Sequence, residues 1–132
     1  MQTVTEIVNN HLLKSFFMVD LLECSAKKVA FGLTPQASLF NKELQGMYGC
    51  VFDCAARSAG YASIGQCVLS ECEMTVQSSP SSPELIVKAR IASAHTLHAI
   101  YCSEIYSMRG RRKVLVAESQ GTLSKTTPID PA

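Results

Sequence analysis

Gly46-Met47-Tyr48-Gly49-Cys50-Val51-Phe52-Asp53-Cys54-Ala55-Ala56-Arg57-Ser58-Ala59-Gly60 is the stretch whose reading decides the fold. It reads as a helix bounded by glycines, built from small and apolar side chains, with Asp53 and Arg57 its only charges. Such a helix is too apolar to lie on a surface, and its small side chains let a strongly curved sheet close over it. A carboxylate left inside needs a partner or a chemical role, because burying it alone costs several kcal/mol.

Working outward, four strand-like segments follow the helix, at about 66–77, 84–94, 97–108 and 113–124. In the second, Leu85, Val87, Ala89 and Ile91 alternate with Ile86, Lys88, Arg90 and Ala92, which predicts one buried and one partly wet face. Ser78-Ser79-Pro80-Ser81-Ser82-Pro83 reads as a rigid turn, and Arg109-Gly110-Arg111-Arg112 as a charged hairpin tip. Before the helix, residues 34–46 read as a loop broken at Pro35, and residues 16–33 as a strand pair or one long bent strand, with Lys27-Lys28 as the turn. Val4, Ile7, Val8, His11 and Leu12 share one face of a short amphipathic helix within residues 1–15, expected to pack as a lid. The tail from Thr126, including residues 126–132, is expected to fray.

The chain has 132 residues, which suits one domain, 1–132, burying about 68% of its unfolded surface. A net charge of +1 supplies no field to attract nucleic acid or an anionic membrane. The apolar run from Leu12 to Leu22 is interrupted by Lys14 and Asp20, against a signal peptide or a membrane span, so a cytoplasmic protein is expected. Six cysteines occur without a CxxC pair and read as free thiols in apolar surroundings; no metal site and no cofactor is expected.

Helix, strand, loop, small-residue helix and four antiparallel strands together resemble the hotdog fold, an α+β architecture in which a curved antiparallel sheet wraps a long central helix. The resemblance covers about residues 16–124. Asn41, six residues before Met47-Tyr48-Gly49, is similar to the Asn-to-His-Gly-Gly spacing of the phenylacetyl-CoA-type thioesterases, and Gly110-Arg111-Arg112-Lys113-Val114-Leu115-Val116-Ala117-Glu118 resembles their late strand. Met47 stands where that pattern has histidine, Tyr48 where it has the first glycine, and Ala56 where it has the helix carboxylate. In a second register Asp53, Arg57 and Gly60 have the mutual spacing of the Glu, Gln and Gly in the catalytic helix of β-hydroxyacyl-carrier-protein dehydratases. Here Arg replaces Gln, Asp53 lies one residue closer to Gly49, and the preceding loop has no histidine base.

The resemblance implies hydrolysis of acyl-CoA or acyl-ACP thioesters, in an assembly that is a dimer or a dimer of dimers. It also implies that the site groups come together across the dimer interface. Thioester hydrolysis requires a polariser for the carbonyl and a carboxylate to activate water or attack directly. The Gly49 N–H, at the helix start, suits the first role, Asp53 the second, and Asn41 could hold the carbonyl oxygen or the water. Other readings stay open. Asp53 and Arg57, four apart, can simply pair; Asn41 can cap a turn; Gly49 can be a packing glycine. Cys50 near the helix start would have a lowered pKa, and with Arg57 it is a candidate substrate contact. Arg111 and Arg112 are a solvated tip or a contact to coenzyme A phosphates or an acidic carrier. His95 and His98 read as surface residues, and Tyr48, Tyr61, Tyr101 and Tyr106 as core or interface. The rival functions are a non-catalytic acyl-binding protein and a dehydratase or hydratase of the same fold.

Overall fold

The computed structural model describes residues 17–35, 46–78 and 84–126. The expected lid helix in residues 1–15, most of the 34–46 loop with Asn41, most of the Ser78–Pro83 turn and the tail lie outside them. A strand hairpin comes first: β1 (Phe17–Cys24) and β2 (Lys28–Pro35), turning where the Ser25 N–H donates to the Lys28 carbonyl at 2.8 Å. Next come α1 (Tyr48–Ile64), β3 (Cys67–Val76), β4 (Leu85–Ala94), β5 (His98–Arg109) and β6 (Arg112–Lys125).

The six strands form one antiparallel sheet in the order β1-β2-β4-β5-β6-β3. α1 reaches β2, β4, β5, β6 and β3, so the sheet bends around it. The expected alternation in β4 is present: Leu85, Val87, Ala89 and Ile91 are buried and the residues between them face outward. In β5 the period of two holds but the polarity is mixed. Ala99, Tyr101, Ser103, Ile105 and Ser107 are buried, while Ile100 is exposed. The hairpin tip falls where it was expected, with Gly110 at φ +65° between β5 and β6.

The helix runs further than the glycine boundary implied. Gly60 lies inside α1, which ends at Gly65, whose φ of +87° turns the chain and whose N–H donates to the Tyr61 carbonyl at 3.0 Å. Gly60 is there for space: a Cβ would stand 2.6 Å from a Leu123 methyl and 2.8 Å from the Cys67 sulfur. Close packing, not helix termination, accounts for this glycine. Gly121 on β6 is a second contact glycine, where a Cβ would collide with the Glu71 carbonyl beside the bulge at Leu69/Glu71. The core lies between α1 and the sheet, with Phe31, Leu33, Phe52, Leu85, Ile105 and Leu123 fully enclosed. Each such side chain contributes roughly 1.5–3 kcal/mol by leaving water.

Candidate functional site

α1 presents two different sides. Val51, Phe52, Ala55, Ala56, Ser58 and Ala59 are buried against the sheet, whereas Gly49 is exposed and Cys50, Asp53, Arg57 and Tyr61 are half-buried. The last four recur at spacings of three and four, so they form one stripe along the helix. Asp53, expected to lie inside, instead stands on the side of α1 that the described sheet leaves open. Asp53 keeps 42% of its side chain accessible and Arg57 19%, because the described sheet covers only the opposite side of α1.

The Arg57 Nε donates to Asp53 Oδ2 at 3.1 Å, so the pairing anticipated from their i, i+4 spacing forms. The pair fixes the direction of one carboxylate oxygen and leaves the group accessible. At the start of the helix, the Val51 N–H donates to the Met47 carbonyl at 3.0 Å, so the N–H groups of Tyr48, Gly49 and Cys50 precede the helical ladder. Among the described residues, a Cβ at Gly49 would meet nothing within 4 Å. A helix-start amide one turn from a carboxylate suits a polarised carbonyl.

Cys50 differs from expectation. Its thiol pKa is pushed up, first by burial and then by the Asp53 charge, with Arg57 pulling it down. The helix start does not make it a ready thiolate. Cys54 is pushed up to about 12 and Cys67 to about 11, both mainly by burial. All six cysteines are free thiols.

Sequence reasoning missed a cluster on the inner face of the sheet. The Tyr101 hydroxyl, on β5, lies 2.7 Å from Ser119 Oγ on β6 and donates to Cys72 Sγ on β3 at 3.3 Å, while Cys72 Sγ and Ser119 Oγ are themselves 3.3 Å apart. These three groups can close a ring of hydrogen bonds, each donating once. Burial is the chief reason that the Tyr101 phenol is raised above its ordinary range; its contact with Cys72 and the negative charge of Asp53 raise it further. Tyr101 is thus a neutral donor within electrostatic reach of Asp53. The one sequence signal was the polar content of the buried side of β5, Tyr101, Ser103 and Ser107, in a strand whose other inward residues are Ala99 and Ile105.

β3 closes one edge of the sheet. Beyond its bulge its inward side carries Cys72, Met74 and Val76, of which Met74 and Val76 are 45% and 44% exposed. This apolar strip continues from the Cys72 cluster beyond the cover of α1. Tyr48 is fully buried, and its hydroxyl has no hydrogen-bond partner among the described residues.

The remaining candidates are not gathered here. Arg111 and Arg112 are exposed at the β5–β6 tip, past the end of the strand that holds Tyr101, whose last residue is about 25 Å from Tyr101 at roughly 3.3 Å per residue. His95 and His98 are exposed at the β4–β5 turn, where the His95 N–H donates to the His98 carbonyl at 2.7 Å, in keeping with a surface role. Asn41 lies outside the described residues. Among the described residues, no helix is long and apolar enough to cross a membrane.

No protein-family model and no curated protein matches the chain. Solved structures do match. A thioesterase family protein from Silicibacter pomeroyi superposes with a TM-score of 0.79 at 11% identity, over 92% of this chain and 96% of that one. The PaaI protein of the E. coli phenylacetic acid degradation operon gives 0.77 at 17% identity, over 90% and 86%. Thioesterase superfamily member 2 from Mus musculus gives 0.70 at 16% identity, over 94% and 98%. The six-stranded antiparallel sheet bent around α1, shared with these structures, is the hotdog fold.

Proposed function

We propose that this chain hydrolyses acyl thioesters, carried on coenzyme A or on an acyl carrier protein, at the open stripe of α1. The observation that carries the reading is the Asp53 carboxylate, aimed by Arg57 and left accessible one turn from the amides that open the helix. In this reading the thioester carbonyl oxygen rests against the Gly49 N–H, and Asp53 takes a proton from an attacking water. The oxygen of that water bonds to the acyl carbon, the carbonyl electrons move onto the oxygen held by Gly49, and their return expels the thiolate. Asp53 returns the proton to the leaving sulfur, giving a carboxylic acid and a free thiol. Direct attack by Asp53, through an anhydride then opened by water, uses the same geometry. Asn41, Cys50 and Arg57 would line the acyl or carbonyl end, with Arg111 and Arg112 available to a phosphate at a distance.

Two copies joined along their β3 edges complete the site in this reading. An unpaired edge with an apolar inward strip, Cys72, Met74 and Val76, is a surface that a twin strand and its helix can cover. The Asp53–Arg57 pair equally favours a non-catalytic acyl-binding protein, since two partly buried charges then satisfy each other.

The test is incubation of the native protein and its Asp53→Ala variant with short, medium, long and aromatic acyl-CoAs, following substrate by chromatography. The expected result is turnover of at least one class, lost by about a hundredfold or more in the variant, the scale of a general base. Tight retention of acyl-CoA without turnover by the native protein would establish the binding reading instead.

A further inference from the structure

The Asp53–Arg57 pair uses only part of the arginine. A guanidinium carries five N–H donors in one plane, and Arg57 uses the one on Nε, donating to Asp53 Oδ2 at 3.1 Å. Among the described residues its two terminal nitrogens donate to nothing, and it enters no second ion pair. The side chain is 19% exposed, sheltered enough that idle donors cost stability and open enough to be reached. Tyr61, one turn further along the stripe, is half-buried, and its hydroxyl also lacks a partner among the described residues. The inner sides of β3 and β5 add no charge here, since Glu71, Glu73 and Glu104 point the other way.

The direction of α1 decides what can reach these donors. Gly60 lies against Leu123 on β6 and Gly65 near Lys125, so the helix runs away from the β5–β6 tip as it proceeds. Its first turn, with Gly49, is therefore on the tip side, toward the exposed Arg111 and Arg112, and Arg57 and Tyr61 lie beyond Asp53 on the other side. A thioester whose carbonyl rests at Gly49, and whose phosphate-bearing half extends toward the tip, sends its acyl group past Asp53 to Arg57 and Tyr61. Asp53 and Arg57 are about 6 Å apart along the axis at roughly 1.5 Å per residue, the reach of a glutaryl or adipoyl chain.

We propose that Arg57 recognises a carboxylate at the far end of the acyl group, so that the substrate is the mono-thioester of a short dicarboxylic acid. The inference rests on the thioesterase reading for the position of the carbonyl, and adds what lies at the other end of the chain. The guanidinium then stands between two carboxylates, Asp53 on its Nε side and the substrate on its terminal nitrogens, an arrangement that a planar fork permits and a lysine ammonium does not. The Tyr61 hydroxyl can donate to the same group. A phosphate suits the position less well, because it brings a second negative charge beside Asp53 with one cation between them. An uncharged acyl group displaces water from the terminal donors and offers them nothing in return. Since the distal carboxylate does not change during hydrolysis, it is held equally in the ground and transition states, and the preference it creates belongs to KM more than to kcat.

Acyl-CoAs paired so that they differ only in the terminal carboxylate test it: glutaryl- against pentanoyl-CoA, and adipoyl- against hexanoyl-CoA, followed by chromatography with the uncatalysed loss subtracted. The native protein is expected to favour the carboxylated member of each pair by about tenfold or more in kcat/KM, mostly through KM, in keeping with a charge-assisted hydrogen bond. Arg57→Gln also releases Asp53, which lowers both members of a pair alike, so the ratio within the pair is the readout. That ratio is expected to vanish in Arg57→Gln and to shrink in Arg57→Lys, which keeps the charge but loses the fork. Equal handling of each pair by the native protein overturns the proposal, as does a ratio that survives in Arg57→Gln. Should Arg57→Gln fail to fold, a ratio unchanged in Arg57→Lys overturns it instead. If the native protein hydrolyses none of the four, their retention is compared by equilibrium dialysis. Retention that favours the carboxylated members by about tenfold then supports recognition by Arg57 while the hydrolytic reading fails, and equal retention overturns the recognition as well.

Discussion

The two sides of α1 have been built to opposite specifications. Toward the sheet, Val51, Phe52, Ala55, Ala56 and Ala59 are completely enclosed, and Gly60 is pressed so closely onto β6 that no side chain fits. Toward the open stripe, Gly49 has no neighbour among the described residues within reach of a Cβ, and Asp53 remains accessible beside Arg57. The same residue type, glycine, therefore does unrelated work at two points eleven positions apart on one helix. One holds the fold together by its small size; the other leaves a backbone amide reachable. The difference teaches that a small-residue helix is not evidence of uniform burial, because small residues also serve where something else must approach.

The sharpest way to break this comparison is Gly60→Ala. The added methyl has to displace Leu123 and the Cys67 sulfur, and overpacking of this kind costs typically ~1–3 kcal/mol. Denaturant unfolding is expected to show that loss; an unchanged midpoint would mean that the helix and β6 are not in tight contact.

A second test uses the thiols. Cys54 and Cys67, raised from 9.0 to about 12 and about 11, stay protonated in the folded protein while their unfolded counterparts ionise. The unfolded state then binds fewer protons, so the stability they contribute is complete below about pH 9 and falls as pH rises toward 11–12. Thermal melts between pH 8 and 11 are expected to fall with pH, and less steeply in Cys54→Ala. A slope identical in that variant would argue that Cys54 is not sealed on the closed side.

The smallest effect belongs to Gly49→Ala. With no neighbour to meet among the described residues, the methyl is expected to stabilise the helix by about 0.5–1 kcal/mol through lower backbone entropy, the opposite sign to Gly60→Ala. In the hydrolysis assay the same methyl stands beside the proposed oxyanion position, so stability and turnover are expected to move in opposite directions. A variant both less stable and fully active would reverse the assignment of the two sides.

How much of this was legible in the chain depends on the range of the interaction. The existence of α1, the alternation of β4 and the Gly110 turn follow from periodicity and from one residue's backbone freedom, and these are local. The end of α1 was not legible, because Gly60 stops a helix on propensity grounds while its actual neighbours, Leu123 and Cys67, are unreadable from the stretch itself. The Asp53–Arg57 pair was legible because four residues is one helical turn. The Cys72–Tyr101–Ser119 cluster was not, since three strands have to be ordered before those side chains can meet.

Sequence by itself therefore determined the elements, the antiparallel class of the sheet and the carboxylate worth following, all from patterns shorter than a helix or a hairpin. The tertiary structure alone decided which side of α1 stays open, that β3 rather than β6 forms the sheet edge, and that Lys88 and Glu104 share a row. Those depend on strand order and register, which are set by packing summed over the whole core and leave no trace in any single segment.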